Sequence, residues 1–382
     1  MNAHLLSIET SAPLSSVRAR SGRLTIDLGA LASNYRLLRD KVKPAECTAV
    51  VKANAYGLGV TEVVPVLLRE GCRTFFTATC DEAIAVRALA PHAKVVALYG
   101  LGSGTPQDCT DHNIIPVINT PGELSEWQDH AARLSRVLPL WLHVDTGMSR
   151  AGLGADEWAA FIADPDTHLK GLSFELLMSH FACADDPENP KTRRQYELFQ
   201  KMRKAFPGVP ASLCNSPGIF SAPDGAYFQM VRPGMAIYGL NPQQPAPSPM
   251  RRVVTLELPV MRVWRASGGE TVSYGATYEC EAGEPIASVL IGYADGFSRK
   301  LSNKGELFWN GHPCPIVGRV TMDVTMISLK DFEGALPVPG DLLEAIGPHQ
   351  SADALATTAG TIDYKFFTGL GARYERVYID EC

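Results

Sequence analysis

From Leu24 to about Leu240, short apolar runs alternate with amphipathic stretches of helical period, the pattern of repeated βα units. Eight runs read as strands: Cys47–Lys52, Thr74–Ala78, Lys94–Leu98, Ile114–Ile118, Pro139–Val144, Leu172–Ser179, Ala211–Cys214 and Tyr227–Val231. Helical patterns lie between them, among them Thr61–Arg69, Asp81–Leu89, Glu123–Leu134 and Thr192–Phe206, each with a turn or capping signal nearby. Eight parallel strands of this size close into an α/β barrel of the (β/α)8 TIM type, and a doubly wound open sheet is the other arrangement open to them.

Asn241–Pro249, NPQQPAPSP, interrupts the alternation with four prolines and reads as a linker. After it the texture changes. Val253–Val263, Ile286–Ile291, Cys314–Val317, Val324–Ser328 and Arg376–Ile379 are strand-like and separated by Gly, Pro and Asn turns, with one short helix around Ala352–Ala359. The expected order is therefore an N-terminal extension (1–23), a barrel (24–240), a linker (241–250) and a mostly antiparallel β domain (251–382).

Composition narrows the class of partner. With 46% hydrophobic and 20% charged residues there is ample material for a core, and a net charge of -6 without a basic cluster gives no reason to invoke nucleic acid or an anionic membrane. The nine cysteines are scattered, with no CxxC and no His pair at metal spacing, so no metal is expected and the thiols read as reduced. No signal-like apolar core opens the chain and no run of about 18 apolar residues occurs, which leads to the expectation of a cytoplasmic enzyme acting on a small molecule.

Catalytic groups of such barrels project from the C-terminal ends of the strands, and polar residues gather there. Lys52 ends the first expected strand, Arg150 follows the fifth, His180 ends the sixth, Asn215 and Ser216 end the seventh, and Arg232 ends the eighth. Alone, a lysine after an apolar strand is an ordinary solvated strand end. At a buried strand end its pKa would be depressed, making the amine nucleophilic towards an aldehyde near neutrality. Tyr56, four residues on, could donate to an anion, and Gly57 and Gly59 loosen the backbone where a helix is expected to begin. The loops after the seventh and eighth strands, NSPG at 215–218 and RPGM at 232–235, are where barrels commonly cradle a phosphate, although NSPG also describes any ordinary turn.

AVVKANAYGLG resembles the cofactor-binding segment of bacterial alanine racemases, pyridoxal-phosphate enzymes of fold type III. VDTGMSRAGL, MSHFACADD, NSPG, VRPGMAIYGL, VSYGATY, IGYADGF, GRVTMD and GTIDY follow in the family's order, spanning about residues 24–380. The resemblance implies interconversion of L- and D-alanine by two bases, supplying D-alanine for peptidoglycan, in a homodimer with shared sites. Lys52 would carry pyridoxal 5'-phosphate covalently and move the α-proton on one face. Tyr274, from the second subunit, would serve the other. Arg232, oriented by His180, would face the pyridine nitrogen. A guanidinium there leaves that nitrogen an acceptor and so suppresses side reactions. Tyr56, Ser216 and Tyr364, with backbone N–H groups near Gly234 and Met235, would bind the phosphate. Arg150 would meet the substrate carboxylate together with the Met322 N–H from the second subunit's β domain, with that domain's Tyr293, Arg319 and Asp323 shaping the entrance.

Two departures stand out. His143 occupies a position where many members have a lysine whose carbamate pairs with the arginine matching Arg150, so that arginine needs another support. Leu58 replaces the more usual histidine. Within the same fold, a broader-specificity or serine racemase is the alternative. A basic amino-acid decarboxylase is disfavoured by Arg232, and a non-catalytic cofactor-binding barrel by the β domain with Tyr274.

Overall fold

The computed structural model describes residues 22–380; the expected extension therefore lies outside the described residues except for its last two. Contacts divide the chain into two compact units. One comprises Leu24–Thr255, Ile346–Leu370 and the chain from Arg376 onward, the other Leu256–Ala345 and Gly371–Glu375.

The first unit is built on a parallel barrel. Thr74–Thr77, Lys94–Ala97, Ile115–Ile118, Leu138–His143, Leu172–Met178, Ala211–Ser212 and Met230–Val231 pair in that order. The first strand is split at Thr48. Glu46–Cys47 pairs with Met230–Val231, and Ala49–Val50 with Phe75–Phe76, so the same stretch closes the ring from both sides. The seventh and eighth strands keep only two residues each, because Cys214 and the 227–229 turn leave the ladder.

Alternating positions point into the barrel and fill it. Val50, Phe76, Val96, Ile115, Val117, Trp141, Leu176, Met178 and Met230 form one buried cluster. Phe76 and Trp141 meet with ring centroids 5.9 Å apart. Each such side chain contributes roughly 1.5–3 kcal/mol by leaving water. This interior is a packed plug, so chemistry is confined to the barrel's ends.

Helices form where the pattern places them, at Val60–Arg69, Cys80–Leu89, Pro121–Leu134 and Pro190–Arg203. Thr79 and Thr120 cap the second and third by accepting from the N–H groups of Glu82 and Glu123. Further helices, among them Leu28–Val42, Pro106–Asp111 and Ala155–Ala163, go beyond the patterns named from the sequence.

In the second unit Val254–Arg265 pairs antiparallel with Pro285–Val289, which pairs with Thr325–Ser328. Glu306–Trp309, missed in the sequence, forms a hairpin with His312–Pro315 and also meets Leu342–Ile346. Ala266, Val272, Cys280, Ile286 and Val317 make its core. The helix Ala352–Thr358 matches expectation, but a second one, Tyr364–Gly369, follows it, and both belong to the barrel's unit.

Candidate active site

Lys52 does not end a strand. It lies two residues past Val50 and opens a turn in which Ala53, Asn54, Ala55 and Tyr56 all take positive φ, between 53° and 56°. Four consecutive non-glycine residues in the left-handed region cost roughly 1–2 kcal/mol each, so the surroundings must enforce the conformation. Several bonds do so. The Gly57 N–H donates to Ala53 O at 2.7 Å, and Asn54 Oδ1 accepts from the Val60 N–H at 2.8 Å. Gly57 itself is required, since a Cβ there would sit 2.2 Å from the Phe367 carbonyl oxygen. The regular helix begins at Val60, one residue before the expected Thr61. The turn reverses the chain tightly enough to set both Lys52 and Tyr56 at the barrel mouth. Burial and the charge of Arg150 lower the Lys52 amine's pKa, with Glu82 opposing them.

Tyr56 packs against Tyr238, centroids 4.7 Å apart, and edge-on against Tyr364 at 6.4 Å. Burial first, then Tyr364 and Asp363, raise its phenol's pKa and keep it a neutral donor. Its oxygen lies over Gly234, where a Cβ would come within 2.4 Å. The Ser216 hydroxyl accepts from the Gly234 and Ala236 N–H groups, at 2.9 and 3.3 Å. With its acceptor side taken, that hydroxyl has its own proton to offer. Tyr56, Ser216, Tyr364 and the 234–236 turn, which includes Met235, thus lie close together and bring the hydroxyl groups of three side chains into one region, a suitable site for an anion.

Arg232 is 3% exposed and has only neutral acceptors: Ser212 Oγ, the carbonyls of Ser179 and Leu213, and His180 Nδ1 at 3.3 Å. Burial pulls its pKa down to about 10, which leaves it charged at neutrality. Because a guanidinium only donates, His180 Nδ1 must accept, while its Nε2 lies 3.4 Å from the Asn215 amide nitrogen. Burial and the neighbouring cations Arg232 and Arg150 hold His180 well below the usual histidine range, hence neutral. Behind it, Gln195 accepts from the Ala182 N–H and donates to His180 O and Thr146 Oγ1. Asn215 is engaged structurally, donating to Phe181 O and accepting from the Gly218 N–H.

Arg150 is exposed, at the end of a loop wound around Asp145. That carboxylate accepts from the N–H groups of Gly147, Met148 and Ser149 at 2.8–3.1 Å. Nearby, His143 Nδ1 lies 2.9 Å from Asn119 Oδ1, whose amide group donates to the Leu98 and Val117 carbonyls. The imidazole therefore donates through Nδ1 and keeps Nε2 as an acceptor. Burial, followed by Arg232, depresses the His143 pKa to about 4. Since an unfolded histidine titrates near ~6.5, the unfolded chain binds the extra proton, and stability should fall as pH drops from about 6.5 towards 4. Urea titrations at pH 7 and pH 4 should show His143→Gln losing roughly 2–3 kcal/mol less than the unsubstituted protein over that interval. Equal losses would contradict the assignment.

The remaining sequence candidates sit on the other unit. Tyr274 is 72% exposed, and beside it Gly275 packs so closely on Arg319 that a Cβ would come within 2.9 Å of the guanidinium carbon. The Ala294 N–H donates to Met322 O and the Tyr293 N–H to Thr321 O, which joins the 293 and 322 segments. Asp323 accepts from Arg373 at 2.6 Å, and the same guanidinium lies 3.4 Å from the buried Asp295 carboxylate as an ion pair. Tyr293 and Met322 are about half exposed, so with Tyr274 they present an open aromatic and apolar surface.

Glu82, Asn119, Asp145 and Gln195 were missed. Only Glu82 left a trace in the sequence, as the fourth residue of a TxxE capping pattern starting at Thr79. Asn119 and Gln195 act on groups distant in sequence, and Asp145 on the N–H groups of the residues just after it.

Residues 26–242 match the family model for the alanine racemase N-terminal domain, and 253–378 that for the C-terminal domain. The alanine racemase of Rhodospirillum rubrum is 43% identical over 357 residues, covering 93% of this chain and 95% of its own. The biosynthetic alanine racemase of Agrobacterium fabrum is 40% identical, covering 94% and 93%. Among solved structures, the alanine racemase of Bartonella henselae, which carries covalently bound pyridoxal phosphate, superposes with a TM-score of 0.90 at 36% identity, covering 94% of this chain and 99% of that one.

Proposed function

The chain belongs to the alanine racemase family, and from that premise we propose that it interconverts L- and D-alanine with pyridoxal phosphate held at Lys52. The observation that carries this reading is Arg232, a buried guanidinium with only neutral acceptors around it. The residues present fit the cofactor. An amine of lowered pKa suits an aldehyde, the Tyr56 and Ser216 hydroxyl groups beside the turn at Gly234 and Met235 suit a phosphate, and Arg232 suits a ring nitrogen kept unprotonated. When bound, pyridoxal phosphate supplies an electron sink that acidifies the α-C–H bond of an attached amino acid.

The protein's own groups do the rest. Lys52, with its lowered pKa, accepts or returns a proton on one face at neutral pH. Tyr274, exposed on its unit, serves the opposite face of a site in a second copy of the chain, and the exposure of Tyr274, Tyr293 and Met322 supports a homodimer. Arg150 binds the substrate carboxylate, joined by the Met322 N–H of a second copy of the chain, whose Arg319 and Asp323 frame the entrance. Arg232 keeps the reaction to proton transfer. D-Alanine formed in this way serves peptidoglycan. No described helix is long and apolar enough to cross a membrane, and the eight cysteines among the described residues are all free, which supports a reducing, cytoplasmic setting.

Chiral analysis of L-alanine, L-serine and L-lysine incubated with the protein and pyridoxal phosphate tests the reading. Alanine should be racemised fastest. A preference for serine or lysine would replace it with the broader-specificity alternative.

A further inference from the structure

Glu82 is the third residue of the helix Cys80–Leu89, and its carboxylate reaches away from that helix. One oxygen accepts from the Ala53 N–H and the other from the Ala78 N–H, both at 2.8 Å. Ala53 is the first left-handed residue after Lys52, and Ala78 directly follows the second barrel strand. A single carboxylate therefore ties the strained turn to the neighbouring strand at the point where Lys52 is presented.

We propose that Glu82 is a positioning residue for the reaction, holding the left-handed turn that aims Lys52 and supplying the negative charge that balances Arg150 at the amine. The proposal rests on Lys52 as the cofactor attachment point. The charged and titratable groups acting on that amine are Arg150, which lowers its pKa, and Glu82, which raises it; His180 feels Lys52 in turn and stays neutral. No other described carboxylate acts on it comparably, so neutralising Glu82 leaves Arg150 unopposed.

The test uses the holoenzyme and reads its visible chromophore against pH, with cofactor affinity measured alongside. Glu82→Gln keeps the size and one good acceptor but removes the charge. The midpoint at which the Lys52-linked chromophore loses its proton should fall by about one pH unit or somewhat less. Glu82→Ala, which also frees both N–H groups, should weaken pyridoxal phosphate binding by about tenfold or more. If Glu82→Ala fails to fold, the Glu82→Gln titration decides alone. An unmoved midpoint in Glu82→Gln overturns the proposal, even if affinity drops, because a purely structural staple would behave that way. If the unsubstituted protein itself shows no borohydride-reducible chromophore, the Lys52 assignment fails first, and the two failures are thus distinct.

Discussion

Lys52→Ala is expected to lower alanine racemisation by roughly four orders of magnitude, the upper end of what one positioned acid–base group contributes, and to abolish borohydride-dependent labelling. The protein should fold normally. A cation whose pKa is lowered on folding opposes the fold at neutral pH, so its removal should change stability by no more than about 1 kcal/mol. Chiral assay, peptide mapping after borohydride and urea unfolding together separate a chemical defect from a structural one. Substantial activity or label in the variant would remove Lys52 from the centre of the site.

Tyr274→Phe carries the second large effect, a loss of about 100- to 10,000-fold in racemisation. Loss of one base from a two-base site has an asymmetric signature. In D2O, α-proton exchange into the enantiomer served by Tyr274 should collapse, while exchange into the other, served by Lys52, should persist. Because Tyr274 is 72% exposed, deleting its hydroxyl leaves no buried group unpaired. Unchanged exchange from both enantiomers would reject it as a base.

Strong local periodicity made most of the barrel legible, since each strand–helix unit carries its own pattern and the plug residues follow the alternation. The short seventh and eighth strands were placed from apolar residues, but their ends depend on ladder bonds that a pattern cannot reveal. The Glu306–Trp309 strand escaped because its alternation is brief and its partners lie in a hairpin and a distant strand. At the site, residue types were legible while conformation was not. In KANAY only Asn54 favours left-handed backbone while alanine and tyrosine prefer the opposite hand, so the turn depends on the bond from Val60 to Asn54, on Gly57 after it and on the distant Glu82. His143 likewise looked like a gap beside Arg150. The structure places it in a bond with Asn119 and leaves an acceptor nitrogen, while Asp145 winds the loop that carries Arg150.

The central claim is that Lys52 and Tyr274 complete one site from two copies of the chain, and mixed dimers test it most directly. Lys52→Ala and Tyr274→Phe chains, each nearly inactive alone, would be unfolded or dissociated together and reassembled in equal amounts. Half of the dimers should then be hybrids with one intact site, restoring about a quarter of the unsubstituted activity. Activity no higher than the average of the two variants measured separately would contradict a shared site.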